Sequence, residues 1–350
     1  MGEYMSKTEV QDNPSLLRLM LQDSKNFSPL YRPGPYWEKR SISAVNELQK
    51  KGIVNFRSAS NGASTSFGDN PVVDVRMISQ GTLKSRSINF FLRRFPLANT
   101  FNAQVNLTSA YFAENCKWYS QHLTNSNRLE YLLKNYIIPQ DNIRGGCETF
   151  IQIDKERISH LYLKILDTMD YMNSNSHLSE SESFMEIGPG FGVNIHLLAS
   201  NFSNIRKFVY IDIIPNLYIG TQYLKSFYGD AVIDYLETRN QKEISFADNH
   251  KLEIICISPN QIPNLRLAID FFHNSHSFVE MTSEIVGNYA NLVESLMSPK
   301  GQIYLVTYDG GDESTQKPNE LTKHFTKTFS GHAFETLIPD GVDYHFISQR

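Results

Sequence analysis

The chain reads as an α/β protein: a doubly wound, mostly parallel seven-stranded sheet with a C-terminal β-hairpin, preceded by an N-terminal, mostly helical extension. Three observations predict this. From SFMEIG (Ser183 to Gly188) onward, short β-rich runs alternate with helically spaced ones, the pattern of strand–helix–strand crossovers. The last stretch, HAFETLIPDGVDYHFISQR, places two strands around a Pro-Asp-Gly turn. Before about residue 150, helical spacing and loop composition prevail. The division falls at 1–150 for a mostly helical region that could cover a site as a lid and 151–350 for the sheet domain.

Residues 1 to about 30 are polar and weakly patterned, fitting a short helix or a loose arm. YRPGPYW (Tyr31 to Trp37) is a Pro/Gly turn carrying aromatics, and EKRSISAVNELQKKG after it has helical spacing and a glycine stop at Gly52. The Ser/Gly/Asn-rich stretch that follows reads as loop. Helical spacing returns from Ala110 to Tyr136. GGCETFIQID suggests a hairpin or short strands, and Glu156 to Ser174 a long amphipathic helix. After the polar linker SNSHLSESES come five strands: SFMEIG, KFVYIDI, LEIICIS, LAIDFFHN and GQIYLVTYD. Helices are predicted over VNIHLLASNF, LYIGTQYLKSFYG and SEIVGNYANLVESLMS, and the hairpin closes the chain.

Composition narrows the function classes. At 350 residues, 41% hydrophobic and 20% charged, the chain is an ordinary globular protein in its proportions. A net charge of -4 gives no reason to expect nucleic-acid binding. Cys116, Cys147 and Cys256 form no CxxC pair and are odd in number, against both a zinc knuckle and a disulfide framework. The polar start, MGEYMSKTEVQDN, has no apolar signal core, and no apolar stretch reaches the length of a membrane span. A cytoplasmic location is the expectation.

Chemistry concentrates in FMEIGPGFGVNIHLL, Phe184 to Leu198. Gly188, Gly190 and Gly192 are spaced GxGxG, with Val193 where a dinucleotide GxGxxG motif would have its last glycine. Glu186 ends the strand two residues before Gly188. A carboxylate there repels a diphosphate and suits a ligand that carries positive charge and no phosphates. S-adenosylmethionine is such a ligand, with a sulfonium, an ammonium and a ribose. Asp212 ends the second strand roughly 20 residues beyond the loop, where an acid can accept hydrogen bonds from ribose hydroxyls. The plain alternatives are a tight turn without a ligand and, for Asp212, a helix N-cap ahead of Pro215.

EIGPGFG and VYIDI resemble the first two motifs of the class I S-adenosylmethionine-dependent methyltransferases, which have a Rossmann-like sheet. FVYIDIIPNLYIGTQYL (Phe208 to Leu224), FFHNSHSFVEMTSEIVGNY (Phe271 to Tyr289) and GGCETFIQID are similar to the bacterial putative sugar O-methyltransferase family, with a weaker echo in YRPGPYW. The resemblance covers roughly the C-terminal three-fifths of the chain. It implies an S-adenosylmethionine-dependent O-methyltransferase acting on a sugar, nucleotide-sugar or glycan acceptor in bacterial polysaccharide or natural-product assembly. The cofactor residues it implies are Glu186, Gly188, Pro189, Gly190, Gly192, Asp212 and Ile213, with Asn274 and Ser275 toward the methionine end. Ser258 and Asn260, after the third strand, are placed to meet adenine or else belong to a polar loop punctuated by proline.

A sugar hydroxyl is a poor nucleophile, so a base near the methyl group is expected. HNSHSFVEM offers His276, Glu280 and His273. Four residues separate His276 from Glu280, so the carboxylate could orient the imidazole on one helix face. Otherwise His273 caps a strand and Glu280 is an N-terminal helix charge favoured by the dipole. Asp309, Asp312 and Glu313 form either a magnesium-type cluster or a solvated turn, and no metal is assigned. Arg76, Lys84, Arg86, Arg93 and Arg94 lie in a stretch without acids and form either a phosphate-binding patch or a solvated face. Rival functions are methylation of another small molecule, an NAD-type Rossmann oxidoreductase, and a non-catalytic sensor.

Overall fold

The computed structural model describes residues 9–58, 61, 119–308, 316–335 and 342–349. The basic run from Arg76 to Arg94, the acids at 309–313, Cys116 and the Pro-Asp-Gly turn lie outside them.

Two helices open the described chain. Pro14 sits in the first turn of α1 (Pro14–Ser24), and the Asn13 side chain caps that helix by accepting from the Leu16 amide at 3.2 Å. In α2 (Pro35–Lys51), Gly34 is the N-cap and Pro35 begins the helix, so the Pro-Gly-Pro turn fixes where it starts. It stops at Gly52, whose φ of 70° only glycine adopts freely. A further helix, α3, spans Arg128–Asn135. β1 (Phe150–Ile153) and β2 (Glu156–Ser159) then pair as an antiparallel hairpin. This corrects the long helix expected from Glu156. Its first four residues are spent on the hairpin, and α4 runs from His160 to Asn175.

The remaining strands form one sheet. They are β3 (Ser183–Ile187), β4 (Lys207–Ile211), β5 (Val232–Ile233), β6 (Glu253–Ile257), β7 (Ile269–Ser275), β8 (Met297–Tyr308), β9 (Phe329–Glu335) and β10 (Val342–Ser348). Their order is β5-β6-β4-β3-β7-β8-β10-β9. All pairings from β5 to β8 are parallel, and the hairpin adds antiparallel β10 and β9 beyond β8. This is the doubly wound, class I methyltransferase-like sheet that the sequence predicts. The eighth strand, β5, is only two residues long, too short for any periodicity to reveal it. Every residue of β3 and β6 is buried, as continuous apolar strands covered on both faces must be.

Three helices cover the sheet: α5 (Val193–Asn201), α6 (Asn216–Tyr228) and α8 (Ser283–Leu296), with a one-turn α7 (Tyr235–Thr238) beside the edge. The N-terminal segment shares their core. Val10, Leu16 and Met20 pack in one buried cluster with Leu217, Tyr218 and Tyr235. Asp23 accepts from Arg239 Nε and Nη2 at 2.9 and 3.0 Å, and from the Tyr235 hydroxyl at 3.1 Å. Among the described residues no helix is long and apolar enough to cross a membrane.

Candidate active site

Parallel strands end at one edge of the sheet, and a crevice opens where connections leave in opposite directions. Here that point is between β3 and β7, and a cavity of about 400 Å³ lies there. The volume suits a small ligand or cofactor. Its floor is the glycine loop and the ends of β4 and β7. Its walls are α4, through Lys164 and Thr168, and the Pro-Gly-Pro turn with the first residues of α2.

Gly188, Gly190 and Gly192 all have positive φ, at 77°, 61° and 94°. Gly188 is also constrained by space, because a Cβ there would stand 2.4 Å from Ser277 Oγ. The loop can be tight only because these residues lack side chains. Glu186 is almost fully buried beneath it. One carboxyl oxygen accepts from Asn194 Nδ2 at 2.7 Å, while the other has no partner among the described residues. Burial pushes this carboxyl up to about 8, with the Asp212 charge adding to the effect against the Asn194 bond. Asp212 accepts from the Gly190 amide at 3.0 Å and the Ile213 amide at 2.7 Å. Burial pushes it to about 8 as well, against those bonds. It does not cap α6, which begins at Asn216. Two buried acids and a cradle of backbone thus meet at one end of the cavity.

The other end holds polar side chains from distant parts of the chain. His276, in a left-handed turn with φ 64° just after β7, faces Asp343 on β10, with Nε2 to Oδ1 at 2.9 Å. Burial raises the Asp343 carboxyl, but His276 and then Lys164 outweigh it and hold the group at about 2. Asp343 is therefore an anion that accepts from Nε2–H, while Nδ1, on the other side of the ring, lies 3.5 Å from the Ser275 hydroxyl at the cavity wall. The partner expected for His276 was Glu280, and this is corrected. His276 lies in a turn, and Glu280 ends a 3₁₀ segment (Phe278–Glu280), so the two share no helix face. Glu280 instead accepts from Trp37 Nε1 at 2.9 Å and Tyr308 Oη at 3.0 Å, with the Tyr36 hydroxyl as a third donor. Burial pushes Glu280 upward against those donors and pushes Tyr36 to about 12.

Of the predicted residues, Glu186, Gly188, Pro189, Gly190, Asp212, Ile213, Ser275, His276 and Glu280 line the cavity. Gly192 does not; it supports the loop as the N-cap of α5. His273 is buried in the sheet. Its Nδ1 donates to the Tyr304 carbonyl at 3.1 Å, and its Nε2 lies 4.0 Å from Glu186. Burial pushes it down to about 3, so it faces the protonated Glu186 as a neutral ring rather than an ion. Asn274 is also buried, donating to the Ile187 carbonyl at 2.8 Å and accepting from the Phe278 amide at 3.1 Å. Ser258 is fully buried, with its hydroxyl donating to Asn260 and Gln261 at 2.6 and 2.9 Å. It lines a neighbouring, mostly apolar cavity of about 300 Å³, which shares Arg32, Pro33, Ile213 and Pro259 with the first. Asn260 lines neither.

Sequence reasoning missed Asp343, Tyr308, Asn194, Lys164 and the role of Tyr36 and Trp37. Only YRPGPYW carried a signal, in aromatics held by a rigid turn. Among the described residues no group of three His, Cys, Asp or Glu side chains converges as a metal site would.

No protein-family model matches the sequence. No curated protein matches it either. Among solved structures, the mitomycin 7-O-methyltransferase MmcR is similar at 10% identity with a TM-score of 0.36, over 54% of this chain and 54% of that one. The chain thus spans about half the length of that enzyme. A SAM-dependent methyltransferase from Archaeoglobus fulgidus is similar at 12% identity and TM-score 0.37, over 54% of this chain and 93% of its own. The magnesium protoporphyrin IX methyltransferase of Synechocystis PCC 6803 with bound SAM gives 10%, 0.37, 54% and 81%. Likeness at this level assigns no activity to this chain.

Proposed function

We propose that the chain is an S-adenosylmethionine-dependent O-methyltransferase whose acceptor is a sugar hydroxyl on a free sugar, nucleotide-sugar or glycan, and that it works in the cytoplasm. The observation that carries the cofactor reading is Glu186: a buried carboxyl under a glycine loop, with one oxygen that no described residue partners, beside the cavity. An unsatisfied buried acceptor of this kind costs about 1–3 kcal/mol unless a donor reaches it, and an ammonium supplies donors and charge together. A diphosphate in the same place would face two acids that repel it once they ionise near pH 8. Residues 151–350 bind the cofactor in this reading, and residues 1–150 cover the cavity and shape the acceptor side.

When bound, S-adenosylmethionine supplies a methyl group already activated on a sulfonium. The chain's own residues do the rest. Glu186 holds the amino end, and Asp212 offers its remaining lone pairs to ribose hydroxyls. Ile213 presents an apolar face beside them. At the opposite end, His276 takes the acceptor hydroxyl's proton on Nδ1, while Asp343 fixes the ring and offsets the positive charge it gains. Glu280 touches three aromatic donors and acts as a positioning residue: it ties the start of α2 to the end of β8 and so forms the acceptor wall.

The test is a screen of nucleotide-sugars and glycan fragments with S-adenosylmethionine, read as a mass gain of about 14 daltons, one CH₂. Transfer to a sugar oxygen is expected. Transfer only to non-sugar small molecules would overturn the acceptor assignment and leave the cofactor assignment standing.

A further inference from the structure

Charge is not spread evenly around the main cavity. Glu186 and Asp212 lie at the glycine-loop end. Among the described residues three cations also line it: Arg32, Arg40 and Lys164. Arg32 is occupied, donating from Nε to the Phe27 carbonyl and from Nη2 to the Lys25 carbonyl, both at 2.7 Å. Among the described residues Lys164 is not, and Arg40 is so only in part.

Lys164 lies on the α4 face that carries Leu161, Ile165 and Thr168 into the cavity, and it is half-buried. Its ammonium makes no hydrogen bond and no ion pair among the described residues, although its charge bears on Asp343, the partner of His276. Arg40 is exposed; among the described residues it donates only from Nη1 to the Tyr36 carbonyl at 2.8 Å, and its guanidinium lies over the Tyr36 ring at 3.9 Å from the centroid. That stacking fixes its direction while leaving most of its five N–H donors unused. Tyr36 in turn donates to Glu280. Both cations therefore belong to the His276–Glu280 end, Lys164 through Asp343 and Arg40 through Tyr36.

A half-buried lysine whose ammonium makes no hydrogen bond among the described residues keeps its three donors for a ligand in the cavity. An arginine held flat with its fork unfilled suits a planar or tetrahedral oxyanion. Neither cation helps a cofactor that is itself cationic; the partner they fit arrives with the acceptor.

We propose that the acceptor carries an anionic group, a carboxylate or a phosphate, and that Lys164 and Arg40 hold it while the hydroxyl to be methylated faces His276. The proposal rests on the reading of this cavity as a methyl-transfer site. Two-point capture at the far end would set which hydroxyl meets Nδ1, and so act as a regiochemical ruler.

The experiment titrates acetate and inorganic phosphate, observed by ligand NMR, into the full-length protein with and without saturating S-adenosylhomocysteine. Calorimetry of S-adenosylhomocysteine runs alongside on every variant. In the unmodified protein at least one anion binds. Binding is roughly tenfold or more weaker in Lys164→Met and in Arg40→Met, and is kept in Lys164→Arg, as expected for loss of one charge-assisted contact. S-adenosylhomocysteine affinity is the same in all of them, which also shows that the variants are folded. Preference for phosphate identifies a phosphorylated acceptor; preference for acetate, or parity, identifies a uronate-type one. No binding of either anion, or equal binding in the Met variants, overturns the proposal. Failure of S-adenosylhomocysteine to bind refutes the cofactor reading instead, and the titration without it still judges the cation pair.

Discussion

Glu186 couples cofactor binding to pH. In the ligand-free chain burial pushes this carboxyl up to about 8, so near pH 6 only about one molecule in a hundred has it ionised. A ligand whose ammonium pairs with the carboxylate must first displace that proton. The cost is about 2.7 kcal/mol near pH 6 and about 1.4 kcal/mol near pH 7, and it vanishes above about pH 8. Affinity for S-adenosylhomocysteine should therefore climb about tenfold per pH unit over that range and then level off. Close to one proton should be released per ligand at the acid end. Asp212 adds little slope although it is raised to about 8, because ribose hydroxyls bond to a neutral carboxyl as well as to an ionised one. Calorimetry in buffers of different ionisation enthalpy reads both quantities. Glu186→Gln keeps the Asn194 contact but lacks the charge, so above pH 8 it should bind roughly ten- to a hundredfold more weakly, and with no pH dependence. A wild-type affinity that is flat in pH with no proton release, or a Gln variant that binds like wild type, would refute this account of the acid.

The same group gives a stability prediction of opposite sign. A carboxyl raised in the folded state stabilises below its unfolded value and loses that contribution as pH rises through about 8. Ligand-free wild type should therefore melt lower near pH 9 than near pH 6, and Glu186→Gln should lose part of that slope; equal slopes would count against the buried ionisation. Asp343→Asn replaces the anion that holds His276 and should lower turnover about 10²–10⁴-fold with S-adenosylhomocysteine affinity unchanged, whereas unaltered turnover on the acceptor found by the screen would remove His276 as base. Gly188→Ala forces a Cβ to 2.4 Å from Ser277 Oγ at φ 77°. It should cost about 1–3 kcal/mol by denaturant melting and weaken the cofactor, and a variant as stable as wild type would show that the loop is not constrained there. Trp37→Phe removes one donor to Glu280 and should raise KM for the acceptor more than it lowers kcat; a pure kcat effect would argue that Glu280 works on the reacting atoms.

What could be read from the sequence was local. Five strands, their helices and the hairpin followed from periodicity, and Glu186, the three glycines and Asp212 from spacing along adjacent elements. What could not be read was long-range. Asp343 meets His276 because β10 pairs antiparallel with β8, aligning Asp343 with Tyr308, and no pattern around either residue encodes that register. Glu280 was read with the residue four positions before it, but Trp37 and Tyr36 come from the far end of the chain to claim it. His273 and Asn274 illustrate the opposite error. Asn274 is spent on the turn, where its amide both donates and accepts, and His273 sits inside the sheet, tied through Nδ1 alone. The early start assigned to α4 failed because amphipathic spacing over four residues fits a hairpin strand as well as a helix.

The central claim is that this cavity takes a cationic nucleoside ligand and refuses a diphosphate. Calorimetry of the wild-type protein with S-adenosylhomocysteine and with NAD(H), at about pH 8 where Glu186 is at least half ionised, tests it directly. Binding of S-adenosylhomocysteine, weakened in both Glu186→Gln and Asp212→Ala, together with no heat from NAD(H), is the predicted result. Tight NAD(H) binding with no response to S-adenosylhomocysteine would contradict it.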